Sequence, residues 1–148
     1  MKTEGEFNSF LSKEFSRLTP MLKYLKASDR FAIGVSDFLL WYKGRSRGLE
    51  CKFVKEIKSQ NRKILEHPFS GAQVTFLEGL VLSGSDGFGL VGIKSLKKMY
   101  LLDVSVLIQG TNWKAKDFFN LPYKEFDLTK DGVMYLINEM FIGGKDGI

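Results

Sequence analysis

Three residues define the chemistry open to this chain. Asp37, Glu50 and Lys52 lie on two runs that read as consecutive strands, Phe38–Tyr42 and Leu49–Val54. Period two puts Glu50 and Lys52 on one face of their strand and Leu49, Cys51 and Phe53 on the other. A four-residue loop, Lys43–Ser46, pairs Tyr42 with Arg47, sets Asp37 opposite Lys52 and leaves Glu50 on the adjacent diagonal. All three polar groups then share one side of the sheet, roughly 5–8 Å apart. Two carboxylates that close repel, and one must hold a proton unless a cation sits between them. Hard oxygen donors of this kind suit Mg²⁺, with Mn²⁺ as a substitute, because such ions need only one or two protein carboxylates beside waters and a substrate phosphate. An ion there lowers the pKa of a bound water, and Lys52 alongside orients that water or neutralises a developing oxyanion. The chemistry so read is metal-assisted phosphodiester hydrolysis. Acid-x-Lys on a strand is more often a solvated face; this strand is otherwise apolar, and charges inside it need partners.

The pattern Asp37-x12-Glu50-x-Lys52 resembles the signature of the PD-(D/E)XK nuclease superfamily, with Ser36 where the name-giving proline stands. Two further features agree. Gln73, in Phe69-Ser70-Gly71-Ala72-Gln73, opens a helical segment, and strand-like runs follow at Gly89–Ile93 and Met99–Val104. This order is similar to the RecU family of Holliday-junction resolvases and their phage relatives over about residues 4–108, without that family's long N-terminal arm or stalk insertion. The resemblance implies a mixed α/β, restriction-endonuclease-like core, a central mixed β-sheet flanked by helices. It also implies a Mg²⁺-dependent DNA endonuclease that cuts four-way junctions or other branched DNA in recombination and repair. A homodimer follows, since symmetric cutting needs two sites related by a twofold. A VRR-NUC-like or restriction-like nuclease of flaps and linear DNA is the alternative, as is a catalytically silent DNA-binding module.

The resemblance assigns roles as well. Asp37 and Glu50 are metal ligands, joined by the backbone carbonyl of Cys51; Lys52 assists the water, and Gln73 touches the water or the scissile phosphate. Gln73 also reads simply as a helix-start residue behind a Ser70 cap. A third carboxylate comes from the first helix. Glu6 fits the opening position and is preferred over Glu14, which falls within the apolar stripe Phe7, Leu11 and Leu18.

Charge agrees with a polyanionic partner. The chain of 148 residues carries a net charge of +5. Arg45 and Arg47 sit in the hairpin, and Lys55, Lys58, Arg62 and Lys63 follow the acid-bearing strand, where they read as phosphate contacts that position DNA. With 44% hydrophobic residues, 1–148 reads as a single domain able to bury a core. No apolar run reaches membrane-spanning length and the N-terminus is too polar for a signal peptide, so the expected setting is cytoplasmic, including that of a phage-encoded protein. The lone Cys51 rules out an internal disulfide.

Helical periodicity covers Phe7–Leu25, Gly71–Leu82 and Lys130–Phe141, and Phe31–Gly34 reads as a short first strand. Ser59–His67 reads as a polar, mobile loop. Asp127-x-Thr129-x-Asp131-Gly132 echoes a calcium loop but runs straight into helix periodicity, so a capped helix start is expected there.

Overall fold

The computed structural model describes residues 1–18, 20–27 and 36–142; the expected strand at Phe31–Gly34 and the glycine-rich tail lie outside them. Six strands form one mixed sheet in sequential order: β1 (Leu22–Lys26), β2 (Phe38–Tyr42), β3 (Arg45–Val54), β4 (Asp86–Ile93), β5 (Lys98–Asp103) and β6 (Lys124–Asp127). All neighbours are antiparallel except β3 and β4, which are parallel and joined by the crossover helix α2 (Gly71–Leu82). α1 (Glu4–Arg17) and α5 (Lys130–Phe141) cover one face, and α2, α3 (Val104–Ile108) and α4 (Ala115–Phe118) cover the other. The fold is mixed α/β.

Each face has its own core, and β3 supplies both. Leu49 and Cys51 join Phe7, Leu11 and Phe15 of α1 and Leu136 of α5. Val54 joins Leu77 of α2 and Phe69, Leu102 and Phe118. Covered on both faces, the strand hides Glu50 and Lys52 as well as its apolar residues, at 2% and 7% exposure.

Three expectations are corrected. The first helix stops at Arg17, and Leu22–Lys26 is a strand paired with β2 along its whole length. Pro20 cannot continue a helix, and the Tyr24 hydroxyl ties the strand back to Ser12 and Ser16 of α1 at 3.0 and 2.7 Å.

The β2–β3 hairpin has a two-residue loop, pairing Tyr42 with Arg45 and Phe38 with Leu49. Lys43 and Gly44 both take positive φ, 50° and 76°, the left-handed geometry whose twist matches two-residue hairpins. The same register carried one step further sets Asp37 opposite Glu50, not opposite Lys52.

Ser59–His67 is tied down rather than loose. Ile64 and Leu65 are buried in the second core. Ile64 N–H donates to the Trp113 carbonyl at 3.0 Å, and Ala115 N–H to the Arg62 carbonyl at 2.9 Å.

Close approach of α2 to the sheet depends on Gly87. A Cβ there would meet the Leu77 carbonyl oxygen at 2.9 Å and its Cα at 3.1 Å, so only glycine lets the helix backbone lie this near β4. That depth sets the height of the helix's first turn, where Gln73 stands.

Candidate active site

The site grows from the β2–β3 register. Asp37 N–H donates to Glu50 Oε2 at 3.0 Å, and the next amide along β3, that of Cys51, donates to Asp37 Oδ2 at 2.8 Å. Each carboxylate thus accepts a backbone donor from the opposing strand segment, which holds the two acids together. Burial pushes the Glu50 carboxyl up to about 9, and the neighbouring negative charge of Asp37 adds to the effect; Lys52 opposes it. Without a bound metal ion, Glu50 therefore retains its proton at neutral pH.

Gln73 is fixed from both ends. It is the third residue of α2, and its backbone N–H donates to Ser70 Oγ at 3.1 Å while its Oε1 accepts from Ser70 N–H at 2.8 Å, a capping box. With Oε1 committed to the cap, the amide nitrogen is left to donate to Glu50 Oε1 at 2.7 Å. The helix-cap role and contact with the acid pair are therefore served by one side chain.

Lys52 projects from the same face of β3 as Glu50, its Nζ 5.6 Å from the centroid of the Phe69 ring. Phe69 lies over Gly89, the β4 residue paired with Glu50; a Cβ on Gly89 would meet the ring at 2.9 Å. Glycine at this place lets an aromatic wall form directly beside the acids.

The first helix contributes differently from expectation. Glu6 is exposed and accepts from Lys2 N–H at 2.7 Å, near the N-terminal ammonium at 3.8 Å, so it is not brought to the acid pair. Glu14 is buried but pairs with Arg17 at 3.3 Å. The helix-one acid whose charge reaches β3 is Glu4, which acts together with Asp37, Glu50 and, above all, burial to hold the Cys51 thiol well above its ordinary pKa. Periodicity carried this signal: Glu4 precedes the buried Leu11 and Phe15 by seven and eleven residues, on one helix stripe.

Arg47 leaves the expected DNA contacts, and Arg45 stays exposed but far from the acids. Arg47 is buried on the α5 face; its Nε donates to the Met140 carbonyl at 2.8 Å and its guanidinium lies 5.1 Å from the Phe141 ring centroid. Its odd position in β3, shared with Leu49 and Cys51, already placed it opposite Glu50. Arg45 donates to the Phe141 carbonyl at 3.2 Å, about 17 Å along the strand from Glu50 at ordinary strand rise. Lys55, Lys58, Arg62 and Lys63 are exposed and gather round a cavity past the end of β3.

Among the described residues, no group of three or more His, Cys, Asp and Glu side chains could hold a metal ion. A divalent ion here would draw on the Asp37 and Glu50 carboxylates and on backbone, water and substrate oxygens, a set that fits Mg²⁺ or Mn²⁺ and not zinc. The close acid pair, in which the buried Glu50 carboxyl keeps its proton, is the feature that such an ion relieves.

No family model and no curated protein matches the sequence. Among solved structures, the chain is similar to Archaeoglobus fulgidus Hjc, a Holliday junction resolvase from an archaeal hyperthermophile, at 16% identity and a TM-score of 0.48, over 68% of this chain and 75% of that one. It is also similar to a VRR_NUC domain at 19% identity and a TM-score of 0.42, over 74% of this chain and 97% of that one. No helix among the described residues is long and apolar enough to cross a membrane.

Proposed function

We propose that this chain is a divalent-metal-dependent endodeoxyribonuclease of branched DNA, a Holliday-junction resolvase in type. The observation that carries the reading is the direct opposition of half-buried Asp37 and buried Glu50, with the buried Lys52 ammonium on the same face of β3 as Glu50. Such a group costs several kcal/mol to bury unless its charges are matched, and it has no packing role that apolar residues would not fill better.

Asp37, Glu50 and the Cys51 carbonyl oxygen would hold Mg²⁺ or Mn²⁺, which supplies Lewis-acid stabilisation of the phosphate and a more acidic water. Lys52, held beside Phe69, presents its ammonium to the phosphoryl oxygens, where negative charge grows during attack. Gln73 fixes the Glu50 carboxylate through Nε2 and keeps it from turning away from Asp37. Lys55, Lys58, Arg62 and Lys63 bind phosphates on either side of the cleaved bond without reading sequence. The junction specificity follows the motif order shared with the RecU family. Symmetric cuts across a junction need a homodimer.

A second reading, a nuclease of flaps or linear DNA, is favoured by the basic cavity beside the site. Cleavage of a mobile four-way junction, a flap and a blunt duplex, each with Mg²⁺ and with EDTA, separates the two. Paired symmetric nicks confined to the junction support the resolvase, and preference for the flap supports the second reading. Absence of cutting in Mg²⁺ on all three removes the nuclease.

A further inference from the structure

A cavity of about 1030 Å³ opens between the end of β3, residues 55–66 and residues 112–115. Its β3 lining is Phe53 and Val54, and Val54 shares the Lys52 face and lies two residues further on, about 7 Å along the strand. We propose that this cavity receives an unpaired stretch of DNA strand next to the phosphate held at Asp37 and Glu50, an inference that rests on the nuclease reading.

Three kinds of lining support it. Five basic side chains face two acidic ones, Glu56 and Glu66. The amides of Asn61 and Asn112 stand among them, and Ile57 and Ile64 give apolar surface. Phosphates take the cations, unstacked base edges take the amides, and base faces take the apolar wall. A double helix keeps its base edges and faces to itself. At about 1030 Å³ the cavity sits just past the upper end of the range for small-ligand pockets, about 300–1,000 Å³, a size for nucleotides of one strand rather than a duplex.

The frame adds an independent argument. Lys63 and Lys114 are directly opposed across an antiparallel bridge, and hydrogen bonds from Ile64 to Trp113 and from Ala115 to Arg62 lock the two segments together. Like charges in direct cross-strand opposition destabilise a fold, and among the described residues neither lysine makes an ion pair. An anion between them, here a backbone phosphate, resolves the conflict.

The test is fluorescence anisotropy of the full chain with a short labelled oligothymidylate, and with a blunt duplex of equal length, both in EDTA. Lys63→Glu and Lys114→Glu are expected to weaken oligothymidylate binding about tenfold or more and duplex binding less than about threefold. Lys13→Glu, on exposed α1 surface, is expected to change neither. Equal losses on both DNAs, an equal effect of Lys13→Glu, or no loss at all overturns the proposal. Lys63→Ala and Lys114→Ala carry the same comparison should charge reversal disturb the fold, which circular dichroism reads. Because EDTA excludes metal-dependent cutting, single-strand selectivity in a chain that cleaves nothing would reject the nuclease and keep the cavity.

Discussion

Asp37 and Glu50 stand directly opposite each other, Glu50 Oε2 accepting the Asp37 amide and Asp37 Oδ2 the Cys51 amide. The two-residue loop at Lys43 and Gly44 produces this opposition. A register shifted by two would have kept the same residues on the same face but set Asp37 against the ammonium of Lys52. The observed pairing sets acid against acid, and that favours a proton on Glu50 or a bound cation between the two.

The first prediction concerns stability against pH. Glu50 binds its proton more tightly in the folded chain, at about 9, than at the ordinary carboxyl value of 4.5. The folded state therefore holds a proton that the unfolded chain lacks, and metal-free stability falls as pH rises from 4.5 towards 9. Glu50→Gln removes this penalty. Thermal unfolding in EDTA is expected to show the variant several degrees more stable than the native chain at pH 8, with the gap closing near pH 5. A gap independent of pH contradicts the assignment.

Lys52→Ala is expected to lower cleavage of a four-way junction by about 100-fold or more, the scale for losing one charge-stabilising donor. Junction affinity in EDTA should change little, because one buried ammonium adds little to a phosphate-contact surface. Asp37→Asn should abolish cleavage with binding intact. Parallel loss of binding and cleavage would assign these residues to DNA capture instead.

Gly87→Ala tests the depth of α2. Its Cβ would meet the Leu77 backbone at 2.9 Å, so the helix must move outward. The expected cost is about 1–3 kcal/mol, measured by urea unfolding, together with reduced cleavage as Gln73 withdraws from Glu50. Gln73→Ala should reproduce the cleavage defect with only the smaller stability loss of a broken cap, about 1 kcal/mol.

What could be read without coordinates followed from periodicity strong enough to survive packing. The bounds of α2 and α5 coincide with their apolar repeats, and period two alone sends Glu50 and Lys52 to one face and Cys51 to the other. Where reading failed, tertiary pairing overrode local pattern. Leu22 and Leu25 continue the helix stripe of α1 yet belong to an edge strand, because β2 offers them a full ladder. Lysine is an unusual residue at the first left-handed position of a tight hairpin, so Lys43 concealed the two-residue loop. Arg47 differs in kind: its odd position in β3 already sends it to the Leu49 and Cys51 face, away from Glu50, and it is buried there rather than set among phosphate contacts.

The most direct measurement is calorimetric titration of Mn²⁺ into the DNA-free chain in two buffers of different ionisation enthalpy. Replacement of the Glu50 proton by the cation predicts saturable binding at pH 7.5, release of about one proton per ion, and affinity rising up to about tenfold per pH unit below the Glu50 value. Glu50→Gln should lose both the binding and the proton. Saturable binding that persists in Glu50→Gln, or that releases no proton from the native chain, would contradict an ion seated between Asp37 and Glu50.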